Sequence, residues 1–94
     1  MAKAIWNGAV IAESNACKTV DGALYFPPEC VRIEFLRHSD THTVSSWKGE
    51  ASYFHVDVRG AIVTDAGWCY PAPKKDVADI QGYIAFSNGV KVEP

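Results

Sequence analysis

Lys48 stands directly before Gly49, and Tyr53, Trp68 and Tyr70 follow along the chain. A glycine after a lysine lets the backbone bend and aims the ammonium at one spot. Tyrosine and tryptophan supply flat apolar walls with one polar edge, a common lining of small-molecule pockets. Trp68 and Tyr70 share strand parity, so one face can present both. Such a set would line a cleft for a small anionic or aromatic ligand. Lys48 would face a carboxylate, a phosphate or a ring. The same rings could instead be core, with Pro71 and Pro73 stiffening a loop over them and Lys48 left as a solvated turn residue. Both readings stand at this point.

Other groupings carry weaker chemistry. His38, Asp40 and His42 alternate, and on an extended chain they project to one side. With His55 added they resemble a metal-ligand set, but nothing in the sequence supplies the outer groups that fix ligating histidines. A polar loop is the simpler reading, and no metal and no cofactor are expected. Tyr53, His55 and Asp57 share one strand face, where Tyr53 or His55 could act as acid or base. A half-exposed polar strand face explains them equally. Cys69 lies between Trp68 and Tyr70 with opposite parity, so it should turn away from them into the core. Cys17 beside Lys18 should be more exposed, with no base paired to it. The three cysteines, Cys17, Cys30 and Cys69, have no CxxC spacing and an odd count. They therefore read as neither a zinc ribbon nor a disulfide framework.

The elements that must position these residues are mostly strands. Asn7-Gly8 and Asn88-Gly89 each sit between apolar runs, the signature of a tight hairpin turn. A hairpin is therefore expected at each end, the last joining Tyr83–Phe86 to Val90–Glu93. Residues 52 to 58 alternate, with Ser52, Phe54, Val56 and Val58 toward the core and Tyr53, His55 and Asp57 toward water or a pocket. Arg59-Gly60 turns that strand back through Ala61–Thr64. Val31 to Leu36 is rich enough in β-formers to predict another strand, and His38 to His42 a polar loop. Pro27-Pro28 can start one helical turn. Lys75 to Gln81 predicts a short helix with Val77 and Ile80 inward, Gly82 as its stop, and Lys74, Lys75, Asp76 and Asp79 on its wet side.

Composition bounds the rest. The chain has 94 residues, 48% of them hydrophobic and 21% charged, which is ordinary for one globular domain spanning 1–94. Nine Lys and Arg against eleven Asp and Glu give a net charge of −2. That charge argues against nucleic acid, which wants a basic footprint. No apolar run approaches the ~20 residues of a membrane span. The start turns polar at Asn7, too early for a signal-peptide core. A cytoplasmic protein with reduced thiols is the expectation.

Two motifs carry a family resemblance. Trp47-Lys48-Gly49-Glu50-Ala51-Ser52-Tyr53 is followed by Ala66-Gly67-Trp68-Cys69-Tyr70-Pro71-Ala72-Pro73, then by Ile80 and Gly82-Tyr83-Ile84-Ala85-Phe86. Gly8, Ala12-Glu13-Ser14 and Tyr25-Phe26-Pro27 fit as well. The chain resembles the bacterial family called domain of unknown function 427 over nearly its whole length. The resemblance implies a mainly β, antiparallel, β-tent-like domain with one or two short helical turns. Many β-tent relatives hold zinc through two CxxC pairs, and this chain has neither. The family often has Cys-Pro-Tyr before Lys-Gly, where this chain has Ser45-Ser46-Trp47. A chemistry needing that thiol could not run here.

Three functions remain open. The first is a small-molecule-binding module using Lys48, Tyr53, Trp68 and Tyr70. The second is a small transferase or hydrolase in the same cleft, in keeping with a nucleotidyltransferase label that the family sometimes carries. The third is a protein-interaction domain using a hairpin edge such as Val90 to Glu93. Neither the ligand nor the oligomeric state follows from the sequence.

Overall fold

Asx–Gly turns set the first level of the fold. In the computed structural model, which describes residues 1–94, Asn7 and Gly8 both take positive φ (50° and 77°). They join β1 (Ala2–Trp6) to β2 (Ala9–Ser14) as an antiparallel pair. Asp21 and Gly22 do the same (52° and 78°) between β3 (Lys18–Val20) and β4 (Ala23–Tyr25), a hairpin not anticipated from the sequence. Arg59 and Gly60 turn β6 (Gly49–Val58) into β7 (Ala61–Cys69), as expected. With β5 (Leu36–Ser45), β8 (Ile84–Phe86) and β9 (Lys91–Glu93), the chain forms three antiparallel sheets ordered β2-β1-β9, β3-β4 and β5-β6-β7-β8. The fold is mainly β, and the helical segments are short 3₁₀ turns.

Four expectations need correction. Asn88 and Gly89 do form a positive-φ turn, but the strands they join do not pair with each other. β8 pairs with β7, and β9 crosses to pair with β1, because the three-residue β8 completes one sheet while β1 still has a free edge. Ile33–Phe35 is a 3₁₀ turn rather than a strand. None of its three residues pairs with a neighbouring strand, and strand preference is mostly preference for such a pairing. His38 to His42 belongs to β5 instead of a loop, with an irregular register where Ser39 and Thr41 are held by Asp65. Lys75–Ile80 is 3₁₀, kinked at Val77 (φ −127°, ψ 26°). A segment that short cannot meet the cost of α-helix nucleation. Val77 and Ile80 are nevertheless both buried, since spacing by three is the 3₁₀ period itself. The single turn at Pro28–Cys30 forms as expected.

The four-stranded sheet has a cluster on each face. One cluster gathers Ala4, Ile11, Phe26, Val56, Val58, Cys69, Ile84 and Phe86, sealed between this sheet and β1-β2-β9. The other gathers Tyr25, Ala51, Tyr70, Val77, Ile80 and Ala85, with Tyr53, Trp68 and Tyr83 against it. β8 shows the division most clearly. Ile84 and Phe86 serve the first cluster, Ala85 serves the second, and all three residues are buried. Burying one side chain the size of Ile80 is worth about 1.5–3 kcal/mol. The β1–β2 turn is also tied to the β6–β7 turn by Asn7 Nδ2 to Val58 O (3.0 Å) and Arg59 Nη2 to Asn7 O (2.7 Å). No helix is long and apolar enough to cross a membrane.

Candidate functional site

Strand parity delivers the aromatic residues. Trp68 and Tyr70 alternate with Cys69, so both rings reach the second cluster while the thiol enters the first. Tyr53, the cross-strand partner of Trp68, leans on it with ring centres 6.3 Å apart. Lys48 arrives on the turn between β5 and β6. Its ammonium lies 5.8 Å from the Tyr70 ring centre and 5.5 Å from that of Trp47. The turn is pinned by the Lys74 amide donating to Lys48 O (2.9 Å) and by Lys74 Nζ to Ser46 O (2.7 Å). Gly49 is needed there, for its φ of +110° brings it against the Ala72 carbonyl.

Two residues that sequence reasoning missed complete the cluster, both from the β3–β4 hairpin. Tyr25, fully buried, meets Trp68 edge-on at 6.3 Å and accepts a hydrogen bond from its indole N–H (3.2 Å). Asp21 in the hairpin turn accepts a hydrogen bond from Lys48 Nζ at 3.0 Å. Burial works against the Lys48 charge, but the Asp21 hydrogen bond and the Tyr70 and Tyr25 oxygens outweigh it and raise the ammonium above its ordinary pKa. Tyr70 is also pushed up, first by burial, then by Tyr25, with Lys48 opposing. A second pair, Lys18 with Asp79 (3.6 Å), holds the other side of the hairpin, and Lys18 lies over the Tyr83 ring.

Concave space opens at one end of this cluster. A cavity of about 480 Å³ is walled by Gly22, Ala23 and Leu24 on one side and by Trp68, Phe86 and Val92 on the other. Trp68 is the one expected site residue that lines it. Lys48, Tyr53 and Tyr70 do not line it: Tyr53 packs on Trp68, Tyr70 packs on Tyr25, and the Lys48 ammonium lies over the Tyr70 ring. A smaller cavity, about 310 Å³, lies between Ile33, Leu36, His38, Phe54 and Ile84.

The remaining candidates go elsewhere. Tyr53 has its hydroxyl 3.1 Å from that of Thr43, whereas His55 Nδ1 accepts the Asp65 amide (3.1 Å). Asp65, at φ 51°, accepts hydrogen bonds from the hydroxyls of Ser39 and Thr41, which hold its carboxyl below the ordinary value. His38 tilts against Phe54, His42 lies 3.5 Å from Ser52 Oγ, and Asp40 is exposed. No three His, Cys, Asp or Glu side chains come together as metal ligands would. Burial raises the thiol pKa of Cys69, and that of Cys17 is raised by burial and by Cys30. All three cysteines are free thiols. The β9 strand, within the interaction edge considered above, pairs with β1 on one side and is the outer strand of its sheet on the other.

A family model described as Domain of unknown function (DUF427) matches residues 1–93. The chain belongs to this family. No curated protein matches it. Both motifs of the DUF427 resemblance contribute to the second cluster, Trp47 to Tyr53 on the β5–β6 turn and β6 through Ala51 and Tyr53, and Ala66 to Pro73 on β7 and the loop after it through Trp68 and Tyr70. In this DUF427 chain Ser45 Oγ accepts a hydrogen bond from the Lys48 amide (3.2 Å), so the position without the thiol helps shape the lysine turn.

Proposed function

We propose that this DUF427 domain is a small-molecule-binding module, its ligand seated in the cavity beside Trp68 and served by the cluster of Lys48, Tyr53, Tyr70 and Tyr25. The observation that carries the reading is the double role of Trp68. It is the common wall of an apolar cavity and of an aromatic cluster holding a cation. The cavity volume falls in the range of small-molecule sites, roughly 300–1,000 Å³. Leu24, Phe86 and Val92 offer an apolar seat. Of the two residues that could act as acid or base for an enzyme in the same cleft, neither lines the cavity: Tyr53 contacts Thr43 and Trp68, and His55 is engaged by Asp65. Three free thiols support placing the domain in the reducing cytoplasm.

The test is a fluorescence and NMR screen of small aromatic and anionic compounds against the wild type, Lys48→Ala and Trp68→Ala. Compounds that perturb the Trp68 indole are expected to bind at least ~10-fold more weakly to Trp68→Ala, whose seat has lost its wall. Both variants should keep the native circular dichroism spectrum. Loss of fold in both would make these residues structural and overturn the proposal.

A further inference from the structure

The Lys48 ammonium is unusual in its company. Its side chain is only 14% exposed, yet of three N–H donors only one has an acceptor, Asp21 at 3.0 Å. The other neighbours are ring faces, Tyr70 and Trp47. A cation this enclosed calls for an anion, and the fold supplies one from a separable element. The β3–β4 hairpin is a sheet of its own, three residues per strand, and two-stranded hairpins of that size are marginal alone. Its base is anchored, with Phe26 and Ile84 exchanging backbone hydrogen bonds (2.8 and 2.9 Å). Val20 and Ala23 pack against the second cluster and Leu24 against the first, so the turn at Asp21-Gly22 is the part held by the Asp21 carboxylate, whose side chain is 57% exposed and can return to water at little cost. The residue after Asp21 is Gly22, and Gly22, Ala23 and Leu24 are one wall of the cavity at Trp68. The tip therefore sits on the lysine and on the cavity together.

Resting on the binding reading above, we propose that the ligand is a small aromatic carboxylate and that Asp21 is its built-in competitor. The ring of the ligand occupies the apolar cavity against Trp68, and its carboxylate takes over Lys48 from Asp21. Release of Asp21 frees the turn at Asp21-Gly22, so the edge of the cavity at Gly22 opens toward Lys48, while Ala23 and Leu24 stay packed against the clusters. Asp21 is thus a selectivity residue. A neutral ring compound gains the cavity but offers nothing to replace the aspartate, and a carboxylate without a ring gains only the lysine.

Three probes separate these terms: benzoate, benzyl alcohol and acetate, each titrated at constant ionic strength while the Trp68 indole N–H is followed by NMR. The proteins are the wild type, Asp21→Asn and Lys48→Gln. Asparagine is well suited to the positive φ of position 21, so Asp21→Asn should fold. In Asp21→Asn the affinity for benzoate is expected to rise about three- to fivefold relative to benzyl alcohol, the worth of one ion pair whose acid is exposed. In Lys48→Gln the two ring probes should bind alike, and acetate should move the indole least in every protein. If benzyl alcohol binds at Trp68 but the ratio is unchanged in Asp21→Asn, or both probes tighten equally, the competitor role is overturned and the cavity reading survives. If no probe moves the Trp68 indole in any protein, the cavity reading itself falls.

Discussion

Asp65 shows how a single side chain can hold one sheet together. It sits on β7 at positive φ and accepts hydroxyl hydrogen bonds from Ser39 and Thr41 on β5, while its amide donates to His55 on β6. One residue thus links three strands across the point where both strand registers slip. The two hydroxyl bonds, helped by His55, lower its pKa in the folded state. A folded pKa below the unfolded one stabilises the protein fully above the ordinary carboxylate value. That stability is lost as pH falls through the folded value. Urea midpoints measured across about pH 2 to 6, the range bracketing carboxylate titration, should therefore decline on the acid side in the wild type. Asp65→Asn should have a lower midpoint near neutrality and a flatter acid limb. An acid limb of equal slope in both proteins would assign the dependence to other carboxylates.

At the scale of elements, two glycines with positive φ make a controlled comparison. A Cβ at Gly49 would lie 3.3 Å from the Ala72 carbonyl oxygen, a backbone atom that cannot swing away, whereas a Cβ at Gly60 would meet nothing within 4 Å. Both substitutions carry the conformational penalty, but only Gly49→Ala adds a clash. Gly60→Ala should cost about 1 kcal/mol and Gly49→Ala roughly 2–3 kcal/mol, read by equilibrium unfolding. Equal losses would show that the 71–74 loop gives way without cost. The Gly49 turn was legible from Lys48-Gly49, as were the β1–β2 and β6–β7 hairpins from Asn7-Gly8 and Arg59-Gly60. The alternation at Trp68, Cys69 and Tyr70 also showed which way each side chain would face. Tyr25 and Asp21 were not legible as parts of the site. They reach Trp68 and Lys48 across 43 and 27 residues of sequence, and no local pattern encodes such a meeting. The signal within reach was Asp21-Gly22 itself, which has the same turn chemistry as Asn7-Gly8. The 3₁₀ geometry of Lys75–Ile80 was hidden for a different reason. Spacing by three suits both helix types, and only length separates them.

Across the whole molecule, one long sheet carries a cluster on either face, and the short strands complete whatever edge is nearest. This arrangement explains why the Asn88-Gly89 turn misleads when read locally. Its two flanking strands belong to different sheets, so the choice of partner is made by β1 and β7, far away in the chain. The register places Lys3 opposite Glu93 and Ile5 opposite Lys91. Closing that pair requires a loop of almost the entire polypeptide, the most costly kind of contact in chain entropy. A nascent chain on the ribosome cannot assemble the first sheet until residues 91 to 93 have emerged, while the β6–β7 hairpin needs only its own turn. In a refolding experiment with pulsed hydrogen–deuterium exchange, amides of β6 and β7 should gain protection first and those joining β1 to β9 last. Until then the open edge of β1 is free to pair with another chain, which makes the interval before closure the time when this protein is most prone to aggregate.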